Sequence, residues 1–172
     1  MISRTWSRKS IAFSIAVAVL SVYSMVALAS PGQKGPSGEL SVSGQVTVNG
    51  QAAISGATVF SDSVVATAAN SSATISLGKL GRVELLPNTT IKLSFGDSNI
   101  SGSLEAGRIQ VSTLAGTSAI VTTKDAAAVS DARQAATFNV DVECGNTIVA
   151  SQAGVVDLRA GGNTKTIAAG TS

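Results

Sequence analysis

The chain reads as an all-β protein, a sandwich or a roll-like, β-helix-like stack of short strands preceded by an N-terminal signal helix. Three observations predict it. Apolar and polar residues alternate over short runs, turn-forming residues separate those runs, and a basic stretch followed by an apolar one opens the sequence.

The alternation is carried by Thr74-Ile75-Ser76-Leu77, Arg82-Val83-Glu84-Leu85, Ile91-Lys92-Leu93-Ser94-Phe95, Arg108-Ile109-Gln110-Val111 and Phe138-Asn139-Val140-Asp141-Val142. A period of two places every apolar residue of a run on one face, which is the signature of a strand with one side buried. Between the runs stand Gly78-Lys79-Leu80-Gly81, Pro87-Asn88 and Gly145-Asn146, residues that impose or tolerate turn dihedrals, and Gly161-Gly162-Asn163 reads as a hairpin turn. Short strands at such spacing point to a sandwich, roll or barrel.

Asp125 to Ala136 departs from the pattern. It is rich in alanine and Asp125 has the chemistry of a helix cap, but Ser130 and Thr137 interrupt it, and an irregular strand or loop is expected. Gly-x-Val recurs at Gly44, Gly81 and Gly154, an echo too short to establish a solenoid.

The domain organisation follows from composition. Arg4, Arg8 and Lys9 precede an apolar run from Ile11 to Leu28, and Ala27 and Ala29 form the small-x-small pair that signal peptidase recognises, so residues 1–29 are expected to be a signal peptide. An uncleaved membrane anchor is the alternative, and it would be the chain's one contact with a membrane. In either case the basic residues stay on the cytoplasmic side and the remainder is exported, to the periplasm or the extracellular space. Residues 30–43 hold Pro31, Gly32, Gly35, Pro36 and Gly38, the composition of a flexible linker. The folded domain is expected over residues 44–172.

Removing residues 1–29 takes three of the twelve bases, the only Trp and the only Tyr, and leaves nine bases against all ten acids, a net charge of 9 − 10 = −1. The basic character of the full chain therefore belongs to the signal, and nucleic acid is not an expected partner. The single cysteine, Cys144, allows no internal disulfide. Continued alternation from Phe138 through Val140 and Val142 puts it on the buried face, so a small buried hydrophobe is expected in preference to a thiol that pairs with another chain.

No catalytic apparatus is legible. The chain has no histidine, which removes His-based nucleophile activation and the commonest metal ligand together. One cysteine is too few for a zinc ribbon, and neither a phosphate-binding Gly-Lys-Ser/Thr loop nor a glycine-rich calcium repeat is present. Asp141 and Glu143 share a strand face as a glycosidase pair would, but their neighbours make that face the solvated one and no aromatic sugar platform survives export. No serine stands beside a lysine in a telling way. Asn70, Asn88 and Asn99 begin glycosylation sequons, which matter only in a source that glycosylates.

Several runs, in order, carry a resemblance. They are Ala57-Thr58-Val59-Phe60, Val65-Ala66-Thr67, Ser72 to Gly78, Gly81-Arg82-Val83-Glu84-Leu85-Leu86-Pro87-Asn88-Thr89-Thr90-Ile91-Lys92-Leu93, and Leu104-Glu105-Ala106-Gly107-Arg108-Ile109-Gln110-Val111. Phe138-Asn139-Val140, Thr147-Ile148-Val149, Gly154-Val155-Val156 and Ile167 to Gly170 complete the series. Together the set, over residues 44–172, resembles the FecR-like periplasmic domain. The chain departs from that pattern at Thr123-Lys124-Asp125 and Ala136-Thr137, and only a short basic stretch precedes Ile11, so the family's cytoplasmic sigma-factor-holding segment has no counterpart. The resemblance implies a non-catalytic, cofactor-free, all-β extracytoplasmic module that contacts an unidentified protein or envelope ligand, including by strand pairing at an open edge, as an accessory in envelope signalling. A structural or surface-matrix component of the envelope is the alternative.

Overall fold

Alternating side chains become a fold through backbone pairing. The computed structural model describes residues 36–171, which lie in one compact unit, Gly35–Ser172. The expected signal segment, with Ala27 and Ala29, lies outside the described residues. Those residues form strands almost throughout: β1 Ser37–Ser43, β2 Val46–Val48, β3 Gln51–Ala52, β4 Thr58–Phe60, β5 Ser63–Thr67, β6 Ser72–Ser76, β7 Gly81–Leu85 and β8 Thr90–Phe95. The long β9, Asn99–Thr113, is followed by β10 Ser118–Thr122, β11 Ala126–Ser130, β12 Ala136–Glu143, β13 Asn146–Ala153, β14 Val155–Ala160 and β15 Asn163–Ala168. A single 3-10 turn, Gly78–Leu80, joins β6 to β7.

The strands lie in two leaves that share β9. The first runs β4-β1-β6-β7-β9-β12-β13 and uses the second half of β9, Gly107–Thr113. The second runs β3-β2-β5-β8-β9-β10-β11-β14-β15 and uses its first half, Asn99–Ala106. Leu40, Ile75, Val83, Ile109 and Phe138 of the first leaf and Val65, Ile91, Ile100, Val121 and Val156 of the second belong to one buried cluster. Two leaves facing each other over a shared apolar layer make a sandwich. Each large side chain fully buried there contributes roughly 1.5–3 kcal/mol before the entropy of ordering the chain is subtracted.

One connection is roll-like. Every strand pair is antiparallel except β9 with β10, where Ser118 pairs Asn99 and Thr122 pairs Ser103 in parallel. Parallel neighbours require a crossover, and here the second half of β9, lying in the other leaf, supplies it. Gly107 sits at the bend, at φ +87°, and a Cβ there would come within 2.5 Å of the Asn88 carbonyl oxygen. The Gly-x-Val echo has a similarly local meaning. Gly44 and Gly154 stand where the chain passes between leaves, and Gly81 opens β7. The repeated motif marks strand starts, not solenoid turns.

Two expectations are corrected. The segment read as a flexible linker to Ser43 is strand from Ser37 onward, because Leu40 and Gly38 alternate inward and β1 is paired on both sides, by β4 and β6. Glycine and proline content obscured a strand whose apolar face needs only two inward positions and whose Gly38 lets Ile75 and Leu77 approach closely. Cys144 is exposed, not buried. The strand ends at Glu143, and Cys144 with Gly145, at φ +50° and +80°, forms the two-residue loop between Glu143 and its partner Asn146. Both loop residues in the left-handed region is the hairpin geometry that matches strand twist. The alanine-rich stretch contains β11, as the strand-or-loop expectation had it.

Candidate interaction site

The conspicuous charged cluster is built at the bend of β9. Pro87 and Asn88 turn the chain between β7 and β8, with Asn88 at φ +56°, and deliver Thr89 to a fully buried position. The Thr89 N–H donates to Thr67 Oγ1 at 3.0 Å, and the Arg108 N–H donates to Thr89 Oγ1 at 3.0 Å. The Thr67 hydroxyl donates in turn to the Leu86 carbonyl at 2.6 Å. Three distant segments are thus tied together at one point, which satisfies backbone groups that the turn and bend would otherwise leave buried and unpaired.

This anchoring fixes the Arg108 backbone, and the side chain extends along the outer face of the first leaf. Arg108 and Asp141 are direct cross-strand neighbours, and the guanidinium holds the Asp141 carboxylate through Nε at 2.6 Å and through Nη2. Nη2 also reaches Glu143 at 3.3 Å. Arginine covers Asp141, so its face is only in part the solvated one that alternation suggested: Asp141 is buried while Glu143 is exposed. A groove of about 320 Å³ runs beside the pair. The two carboxylates share one arginine, which holds Asp141 through two nitrogens and Glu143 through one. The cluster is a structural tie.

Among the described residues, no group of three or more His, Cys, Asp or Glu is placed to hold a metal ion, and no helix is long and apolar enough to cross a membrane. What the structure offers instead is backbone. The leaves end in four edges of unequal character. β3 and β4 are two and three residues long, β13 and β15 are eight and six. Short edge strands are one way of blunting an edge, whereas long ones are templates for another strand.

The β13 edge is occupied at one point. Its hairpin closes on the pair Glu143–Asn146, and alternation from that hydrogen-bonded pair turns the N–H and C=O of Thr147, Val149 and Ser151 outward. Ser151 uses both: its N–H donates to the Thr171 carbonyl at 3.2 Å and its carbonyl accepts from the Gly170 N–H at 2.8 Å. The C-terminal residues following β15 thereby join the two leaves. At the other end of β13 the Thr147 and Thr123 hydroxyls lie 2.7 Å apart, a second link to the opposite leaf.

β15 carries no such cover among the described residues. Its hairpin with β14 closes on Ala160–Asn163 around Gly161 and Gly162, the turn expected from sequence. By the same alternation, Thr164 and Thr166 direct their backbone N–H and C=O away from β14. Both residues are exposed. Sequence reading located the turn but not the edge, since an edge is defined by what fails to pair with a strand and no local signal encodes that.

No family model and no curated protein matches the chain. Solved structures do. Two crystal structures of a candidate anti-sigma factor from Parabacteroides distasonis ATCC 8503, at 1.65 and 2.50 Å, superpose with a TM-score of 0.53 over 62% of this chain, at 16% and 15% identity. The chain spans 51% of that protein. At such identity the likeness is one of fold.

Proposed function

We propose that the chain is a FecR-like extracytoplasmic interaction domain, non-catalytic, serving as an accessory in envelope signalling. The observation that carries this reading is the ordered series of strand motifs, each of which falls in or beside a strand of a sandwich whose fold is shared with a candidate anti-sigma factor. The open β15 edge gives such a domain a means of contact that needs no pocket and no cofactor. Export follows from the basic and apolar opening of the sequence, with Ala27 and Ala29 as the signal-peptidase pair.

A structural surface component is the second reading, favoured by the same free edge, since edges that accept a partner's strand also accept a copy's. Deleting the gene and following envelope-responsive transcription, alongside affinity capture from envelope extracts, separates the two. An altered response with a stoichiometric heterologous partner is the expected result. An unchanged response with no partner contradicts the signalling reading, and recovery of the chain as polymer favours the surface component.

A further inference from the structure

Resting on the interaction-domain reading, we infer that β15 is the contact element and that it takes an extended segment of another polypeptide bearing acidic side chains. Two features of the molecule converge on this edge.

The first is backbone geometry. Thr164 and Thr166 present two N–H and two C=O groups outward in one register, on an exposed strand. The argument that assigns them also assigns Ser151 on β13, where its hydrogen bonds to the Thr171 carbonyl and from the Gly170 N–H bear it out. The competing edges are shorter or already in part occupied.

The second is charge. Arg159 pairs directly with Thr164 across the ladder, and Lys124 lies in the turn beside the β14–β15 hairpin. Both are exposed, and neither joins the ion pairs of Arg108 and Arg133. Lys165 lies on the edge strand itself. The acids nearby are Asp125, next to Lys124, and Asp157, which already accepts from the Thr166 hydroxyl at 2.8 Å. Arg159 is thus the base that shares a face with Thr164, whereas Lys124 and Asp125 lie across β14 from this flank. A strand added at the usual spacing of about 4.8 Å would place its side chains next to Thr164, within reach of Arg159 across that short residue. Carboxylates suit that position.

A groove of about 400 Å³ lies between the Thr122–Ala127 segment and the hairpin tip Arg159–Thr164, toward β11 and away from this flank. A second copy fits less well. Centring a two-fold between Thr164 and Thr166 sets Lys165 directly opposite its own copy, a like-charge pair.

The test uses the ¹⁵N-labelled full chain purified from the exported fraction and two probes, a soluble peptide alternating valine with glutamate and its counterpart with lysine in place of glutamate. The glutamate peptide is expected to slow amide exchange at Thr164 and Thr166 by about tenfold or more, and the lysine peptide to do so much less. Thr166→Pro removes an outward donor without removing a β14 hydrogen bond, and should abolish the effect. Arg159→Glu should reverse the preference between peptides, and it stands as the second variant if the proline disturbs folding. Equal effects of both peptides, or protection at neither threonine, overturn the assignment. Protection at another edge overturns it too while leaving an interaction domain intact, whereas the fate of that broader reading is decided by the deletion and capture experiment.

Discussion

Thr89 shows how much one side chain can determine. Its hydroxyl both accepts from the Arg108 N–H and donates to the Arg108 carbonyl, each at 3.0 Å, in a fully buried place where water cannot substitute. Thr89→Val keeps the shape and removes the bonds, and should cost about 1–3 kcal/mol in chemical denaturation, the penalty of leaving buried partners unsatisfied. Ser130 is the opposite case. Its hydroxyl is buried on the inner face between Ala119 and Val156 with no hydrogen-bond partner. Ser130→Ala should therefore leave stability unchanged or raise it by about 1 kcal/mol, and a measured loss would mean that the hydroxyl has a partner.

Cys144 belongs at this scale as well. A hairpin loop position with positive φ suits Asn, Asp or Gly, and cysteine there carries a local cost. The thiol should react with a maleimide in the folded state as fast as a model thiol, and Cys144→Asn should be neutral or stabilising. Slow labelling relieved only by denaturant would restore the buried position that simple alternation predicted. Alternation failed because a period of two says nothing about where a strand stops. Gly145-Asn146 was legible as a turn, but which residue precedes it into the loop depends on the register of Glu143 with Asn146.

At the level of elements, β9 holds the design together. Fifteen residues run through both leaves, pairing β8 and β10 in one and β7 and β12 in the other, and Gly107 makes the bend. Gly107→Ala should destabilise the domain by more than about 1 kcal/mol, since φ is positive and the Asn88 carbonyl blocks the added carbon. The sequence displayed the second half of β9 as Arg108-Ile109-Gln110-Val111, and displayed β6, β7, β8 and β12 equally plainly. It hid β1, whose glycine and flanking prolines read as linker, and β3, too short to have a period. The ion pair of Arg108 with Asp141 was invisible for another reason. The two residues sit in different alternating runs, and only the pairing of β9 with β12 sets them side by side.

For the whole molecule, the proposed interaction follows from how the sandwich ends. One side is fastened where Thr171 meets Ser151, and the strand just before that fastening, β15, pairs with no strand on its other flank among the described residues, where Thr164 and Thr166 are exposed. The proposed interaction draws on backbone, shape and the exposed Arg159 beside that flank. The measurement that tests this most directly is site-specific photocrosslinking in intact cells, with the photoreactive residue at Thr164 on the edge and, as comparison, at Ser41 on the outer face of β1. The account predicts one discrete heterologous adduct from Thr164, lost on Arg159→Glu, and none from Ser41. A ladder of multiples of the chain's own mass, or equal adducts from both positions, would contradict it.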